Sequence, residues 1–188
     1  EPCVPGSRPR RVVIVPEGVP LSLPGRADKL RAIANAGGRV IALGKASRDL
    51  ARAAHLPVEE AAVEPASLPG VIFRTEFAGT GPPDPILWGF LSPPAVFCAG
   101  GPLWKAPGDA TGAVPSRVEP IVFINRDVPL ACGILPGSSA PAIGGSVPLL
   151  RVKEGGQGGE WILFGCSPHY RAWTLGTFRL LFNAVLAP

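Results

Sequence analysis

Two short β-branched runs, Arg11-Val12-Val13-Ile14-Val15 and Arg39-Val40-Ile41-Ala42-Leu43, flank a segment with helical period. In 26-RADKLRAIANAGG-38 the apolar Ala27, Leu30, Ile33 and Ala34 recur at the spacing of one helix face. Gly37-Gly38 closes that pattern with the residue favoured just past a helix end. The two runs are apolar at successive positions, and Pro16 ends the first, so both predict strands buried on both faces. Strand, helix and strand in this order form a βαβ unit, which implies a right-handed crossover and a parallel sheet.

The 188 residues read as one domain, with 1–9 (EPCVPGSRP) as a linker and 10–188 as the folded part. Ser47 is placed to cap a further helix, 48-RDLARAAHL-56, which Pro57 stops. Strand-like pieces at Val71–Phe77, Ala95–Cys98 and Pro120–Ile124 alternate with stretches such as 79-GTGPPDP-85 and 105-KAPGDATGAVP-115. They predict a β-rich, loop-rich insertion of antiparallel strands over about 69–150. A strand at Val147–Val152, a hairpin-like loop 154-EGGQGGE-160 and a fully buried strand Trp161–Phe164 follow. The closing helix, 172-AWTLGTFRLLFNAVL-186, carries Trp173, Leu175, Phe178, Leu181, Phe182, Val185 and Leu186 in a broad apolar stripe expected to pack on the sheet.

Composition removes several function classes. Hydrophobic residues at 46% and charged residues at 17% exclude a disordered chain. The net charge of +4 comes with no basic block longer than Arg8-Pro9-Arg10-Arg11, and the aromatics lie inside apolar runs, so a nucleic-acid partner is not expected. No run is long and apolar enough for a transmembrane helix. The chain starts at Glu1 and contains no Met, which reads as a processed or excised piece of something longer.

Residues able to carry chemistry are few. Cys166-Ser167-Pro168-His169 follows a buried strand and precedes a helix, where ligands collect in open α/β sheets. A thiol needs a neighbouring base to become a nucleophile, so Cys166 and His169 are the candidate catalytic pair, with His55 the other histidine able to converge. Against them, a free cysteine is commonly a small buried apolar filler, and Pro168 extends the backbone between the two side chains. The strand-to-helix turn 43-LGKASRDL-50 has the position of a nucleophile elbow but not its residues: Lys45, Ala46 and Ser47 follow Gly44, without a second glycine. No HxxE or HExxH is present, so no metal ligands are expected; Glu59-Glu60 and Asp127 read as solvated carboxylates. The glycines of 154–160 lack the Lys-Ser/Thr of a phosphate loop, and no cofactor is expected. Arg171 is expected to pair with an interior carboxylate. Cys3, Cys98, Cys132 and Cys166 contain no CxxC and allow three disulfide connectivities or free thiols.

Taken together, 30-LRAIANAGGRVIALGKAS-47, 69-PGVIF-73, 85-PILWGF-90, 95-AVFCAGG-101 and 161-WILFGCSPHYRAWTLGTFRLLFNAVL-186 resemble a known arrangement. It is the class I glutamine amidotransferase-like domain at the C-terminus of bacterial secreted zinc carboxypeptidases of the carboxypeptidase A type. The most specific part is the closing motif of Pro168, Arg171, Thr174, Gly176-Thr177-Phe178, Leu180-Leu181 and Phe182-Asn183-Ala184; Asp84-Pro85-Ile86-Leu87-Trp88-Gly89 matches an earlier segment. The resemblance spans roughly 10–186. It implies an α/β, flavodoxin-like three-layer sandwich with a mostly parallel sheet. Two departures accompany it. The strand and helix that precede Arg11–Val15 in the family are not found, and Lys45 and Ala46 stand where the amidotransferase cysteine belongs.

What the resemblance implies is a non-catalytic accessory domain, secreted or held in the periplasm or cell envelope. It would pack on the peptidase domain or the remainder of a precursor, bind a ligand, or contact other copies of itself. Zinc is implied only for a catalytic domain outside this chain. Two alternatives stand beside this reading: an assembly subunit cut from a precursor and sharing strands with a partner chain, and a divergent Cys/His hydrolase.

Overall fold

In a computed structural model, which describes residues 10–62, 68, 70–79, 84–107, 117–135, 139–154, 158–172 and 175–187, the βαβ unit forms as expected from its sequence. Strand β1 (Val12–Val15) leads through helix α1 (Arg26–Asn35) to β2 (Arg39–Leu43), and β1 and β2 pair in parallel with Val13 opposite Val40. Gly37 takes a positive φ of 83°, and the amides of Gly37 and Gly38 bond back to Ala34 and Ile33, which ends α1. The proposed linker, with Cys3, lies outside the described residues.

Helix α2 (Lys45–Ala53) follows β2 directly. After it come β3 (Val71–Phe73), β4 (Thr75–Phe77), β5 (Val96–Cys98), β6 (Arg117–Ile124), β7 (Leu130–Cys132), the short helix α3 (Ala140–Ile143), β8 (Leu149–Lys153), β9 (Glu160–Phe164) and helix α4 (Leu175–Leu186). Six strands form one sheet in the order β1-β2-β9-β8-β6-β4, and three form a second in the order β5-β3-β7. The fold is therefore α/β, but its main sheet is mixed and not mostly parallel. Strands β1, β2 and β9 run parallel, and the pairs from β9 to β4 are antiparallel. The reason is the short link from β8 to β9 at 154–159, which permits a hairpin but is too short for a crossover.

The strands between 69 and 150 divide between the two sheets. The piece expected as one strand over Val71–Phe77 breaks at Arg74, whose amide bonds to Pro129 O and whose carbonyl accepts from Asn125. As a result β3 joins the small sheet and β4 the large one. Much of 105–115 and residues 80–83 lie outside the described residues.

Alternation along the strands sorts the core into two faces. Val40, Ala42, Trp161 and Leu163 turn to one side, against Ala34 of α1 and Ala46 and Leu50 of α2. Ile41, Leu43, Ile162 and Phe164 turn to the other, against Leu180 and Ala184 of α4 and Val71, Phe73 and Val96 of the small sheet. Every residue of β2 and β9 is buried, as their uninterrupted apolar runs predict. β1 has the same kind of sequence but is an edge strand with Ile14 exposed, so it is not buried on both faces.

α4 also departs from expectation. Its inward residues are Thr177, Leu180 and Ala184, whereas Leu175, Phe182 and Leu186 of the expected core stripe face outward; Trp173 lies outside the described residues. Small inward residues let the helix approach the sheet closely. Three side chains hold it there. Arg39, in β2, donates from Nη1 to the carbonyls of Ala184 (2.6 Å) and Ala187 (2.9 Å) at the helix C-terminus, where a cation is favoured. Asn183 Nδ2 donates to the carbonyls of Ile86 and Trp88, each at 2.9 Å, and Arg179 Nη1 donates to Gly89 O. The 84–89 segment and the closing helix, two motifs remote in sequence, are thus one packed unit. Among the described residues no helix is long and apolar enough to cross a membrane.

Candidate functional site at the tips of the parallel strands

The carboxyl ends of β1, β2 and β9 point the same way, and two of the segments singled out from sequence, the turn at Gly44–Ser47 and the turn at Cys166–His169, follow β2 and β9 there. Gly44 forms the turn from β2 into α2 with φ 55° and ψ −127°, a conformation costly for any residue with a side chain. This is the sharp geometry a nucleophile elbow requires, occupied by a residue that has nothing to attack with. The space a side chain would enter is filled from the end of β1. A Cβ on Gly44 would stand 1.8 Å from Glu17 Oε1, and that oxygen accepts the amide of Lys45 at 3.0 Å. The first turn of α2 therefore already has an anion seated at its positive end.

The tip of β9 is closed by backbone. A Cβ on Gly165 would lie 1.8 Å from Pro102 O, and one on Gly101 would lie 2.1 Å from Gly165 O. The chain leaving β5 at Gly101-Pro102 therefore crosses the end of β9 in direct contact, which only glycine at 101 and 165 allows. Ser47 strengthens the same corner from inside. It is not a helix cap: Gly44 holds that position, and Ser47 is buried in the first turn of α2. Its hydroxyl shares one proton between the carbonyls of Ala42 (2.9 Å) and Phe164 (2.7 Å), stitching α2 to the ends of β2 and β9.

Cys166 and His169 stand apart in environment. Cys166 is fully buried, and burial pushes its thiol up to about 12, an effect that a backbone hydrogen bond only partly offsets. Cys98 is buried in the same core, and its thiol too is raised, first by burial and then by the nearby Cys166. Cys98, Cys132 and Cys166 are free thiols. His169 is exposed. The turn between them is fixed by structural contacts: Ser167 N donates to Phe97 O (3.0 Å), Thr177 Oγ1 donates to Pro168 O (2.7 Å), and Tyr170 stacks on Phe97 with ring centroids 4.1 Å apart. The segment behaves as a welded joint between strand and helix. A thiol of this kind is protonated at neutral pH and has no thiolate to offer.

The other candidates lie elsewhere. His55 follows the C-terminal end of α2, about 14 Å of helix away from Gly44. It lines an open cleft of about 600 Å³ with Arg48, Arg52, Glu59, Glu60 and Trp104. Neither Glu59 nor Glu60 is a free carboxylate. Glu60 pairs with Arg48 (2.7 Å) and Arg52 (3.2 Å), and Glu59 with Lys105. Asp127 is exposed, its amide bonded to Asn125 Oδ1. Among the described residues Arg171 reaches no interior carboxylate. It is exposed, with its guanidinium 5.3 Å from the centroid of the Tyr170 ring, and its own φ is positive at 46°. Among the described residues no three His, Cys, Asp or Glu side chains come together in a way that would hold a metal ion.

Sequence reasoning did not single out Glu17 or Gly101, the two residues that occupy the strand tips. Gly101 belongs to a visible Gly-Gly pair, but its partner 64 positions away leaves no local signal. No known protein-family profile, no characterised protein and no solved structure matches this chain.

Proposed function

We propose that this chain is a non-catalytic accessory domain of a secreted zinc carboxypeptidase-like protein, on the flavodoxin-like plan of class I glutamine amidotransferases, and that its work is docking. The observation that carries the reading is the outward face of α4. Leu175 (72% exposed), Phe182 (59%) and Leu186 (77%) lie within roughly 40° of arc on the side opposite Thr177, Leu180 and Ala184. The loop held by Asn183 and Arg179 adds Trp88 (53%) and Leu91 (102%). Five large apolar side chains at roughly 100–200 Å² each offer on the order of 700 Å². That approaches the ~800 Å² per partner of a standard interface and exceeds what an isolated soluble domain normally shows.

The surface has little charge of its own. Arg179 is the one ionisable residue of α4, and it is committed to Gly89 O and to the face of Phe90 (5.9 Å). A neutral apolar helix face suits a permanent neighbour domain. The occupied turn at Gly44 and the buried thiol of Cys166 support the absence of bond chemistry in the same reading.

Titration of this chain with the catalytic domain of a zinc carboxypeptidase of the resembled family, followed by calorimetry and sedimentation velocity, tests it. Association is expected, and Phe182→Asp with Leu186→Asp should weaken it by at least about 100-fold, since two buried anchors at ~2 kcal/mol each are lost. Association indifferent to these charges contradicts the reading. So does a hydrolytic activity of the isolated chain that Cys166→Ala removes.

A further inference from the structure

We infer that the edge of β1, with the groove between β1 and α1, receives an extended acidic segment of another polypeptide as an added strand. This surface is separate from the α4 face. β1 ends the main sheet, and its pairing partner among the described residues is β2. Arg11 O accepts from Arg39 N at 2.8 Å, so by the alternation of a parallel ladder Arg11, Val13 and Val15 bond toward β2. The N–H and C=O of Val12 and Ile14 then point away from the sheet, as a template for one more strand.

Beside that edge lies a shallow groove of about 250 Å³, almost wholly apolar, floored by Val13, Val15, Val19 and Leu30. Arg26 and Lys29 of α1 line its rim, and Arg11 stands exposed where β1 begins. Asp28, the acidic residue of the first turn of α1, is not among the groove residues. The recognition mode follows from these parts. Main-chain hydrogen bonds to Val12 and Ile14 supply register, alternate apolar side chains enter the groove, and carboxylates meet the cationic rim. The same rim argues against a second copy of the chain. Two β1 edges paired across a two-fold axis would bring both sets of cations together.

The probe is a capped valine–threonine octapeptide with two glutamates at each end, compared with its lysine-ended counterpart. Amide exchange of the full chain gives the first readout. Val12 and Ile14 amides should exchange freely in the chain alone and become at least about 10-fold slower with the glutamate peptide. Arg26→Glu with Lys29→Glu, both exposed, should weaken the glutamate peptide by about 10-fold or more and favour the lysine peptide. Ile14→Pro should abolish binding, since it removes an outward N–H and leaves the ladder to β2 intact. Four results overturn the inference: Val12 and Ile14 already protected in the dilute chain, equal binding of both peptides, binding that survives Ile14→Pro, or a dimer that Ile14→Pro dissolves.

Discussion

Glu160→Gln is expected to lower the free energy of unfolding by about 3–5 kcal/mol, the usual penalty for stripping a buried ion pair of one partner. Glu160 opens β9, and three guanidinium groups converge on it: Arg39 Nη2 at 2.5 Å, Arg10 Nη1 at 2.5 Å and Arg151 Nε at 2.6 Å. Arg39 and Arg151 are almost fully buried. The guanidinium of Arg39 titrates below its ordinary value because burial outweighs the pull of Glu160. Burial is also the largest influence on Arg151, yet Asp84, Glu160 and Glu119 together overcome it and raise its pKa.

Without the Glu160 carboxylate, Arg39 keeps its bonds to the last carbonyls of α4 but loses the attraction of Glu160. The closing helix and the sheet should therefore loosen together. For a chain of this size the loss corresponds to a melting temperature roughly 10 °C lower. Urea unfolding of Glu160→Gln beside Glu119→Gln checks it. Glu119 is nearer the surface, pairing with the half-exposed Lys153 at 3.0 Å and more loosely with Arg151 at 3.4 Å, and its loss should cost less than about 1 kcal/mol. A Glu160→Gln midpoint indistinguishable from that of Glu119→Gln would show that the buried cluster carries no such load.

Gly165→Ala should be a severely damaging methyl addition, costing about 3 kcal/mol or more by overpacking. The new Cβ would meet Pro102 O at 1.8 Å, and backbone cannot swing aside as a side chain can. Gly176→Ala is the matched control, because nothing lies within 4 Å of its Cβ position and the residue sits in the first turn of α4, where alanine is favoured. Denaturant midpoints should separate the two variants widely. If Gly165→Ala proved as stable as Gly176→Ala, the strand tips would be open enough to admit a ligand, and the covered tip described above would be wrong.

How far the sequence could be read depended on whether a signal was local. β2 and β9 were legible because a central strand must be apolar at every position, and Arg39–Leu43 and Trp161–Phe164 are nearly so. β1 has an equally apolar run, yet periodicity does not say where in a sheet a strand sits, and its exposed edge emerges only from the strand order. The start of α2 was misplaced because Gly44 caps it with backbone alone, while Ser47 has the chemistry of a cap and uses it to bond Ala42 and Phe164. α4 was the hardest case. It is apolar on most sides, so the 3.6-residue period does not choose an inward face, and close packing selects Thr177 and Ala184 over Phe182.

The candidate site was legible in position and not in state. Cys166 and His169 do follow a buried strand at the expected end of the sheet. What decides their chemistry is depth, and depth is set by residues far along the chain. Phe97 and Pro102 meet the Gly165–Tyr170 turn across more than 60 positions. Likewise Glu17 reaches the elbow turn from β1, a contact of tertiary origin that no motif encodes.

Alkylation of Cys166 by iodoacetamide in the folded chain, followed site by site by mass spectrometry across pH 6–10, bears most directly on the claim that these strand tips do no bond chemistry. With its thiol held at about 12, Cys166 should stay unlabelled over that range while exposed Cys132 is labelled, and Cys166 should react once denaturant is added. Labelling of native Cys166 that rises through an inflection near neutral pH would reveal a reactive thiolate and contradict the account.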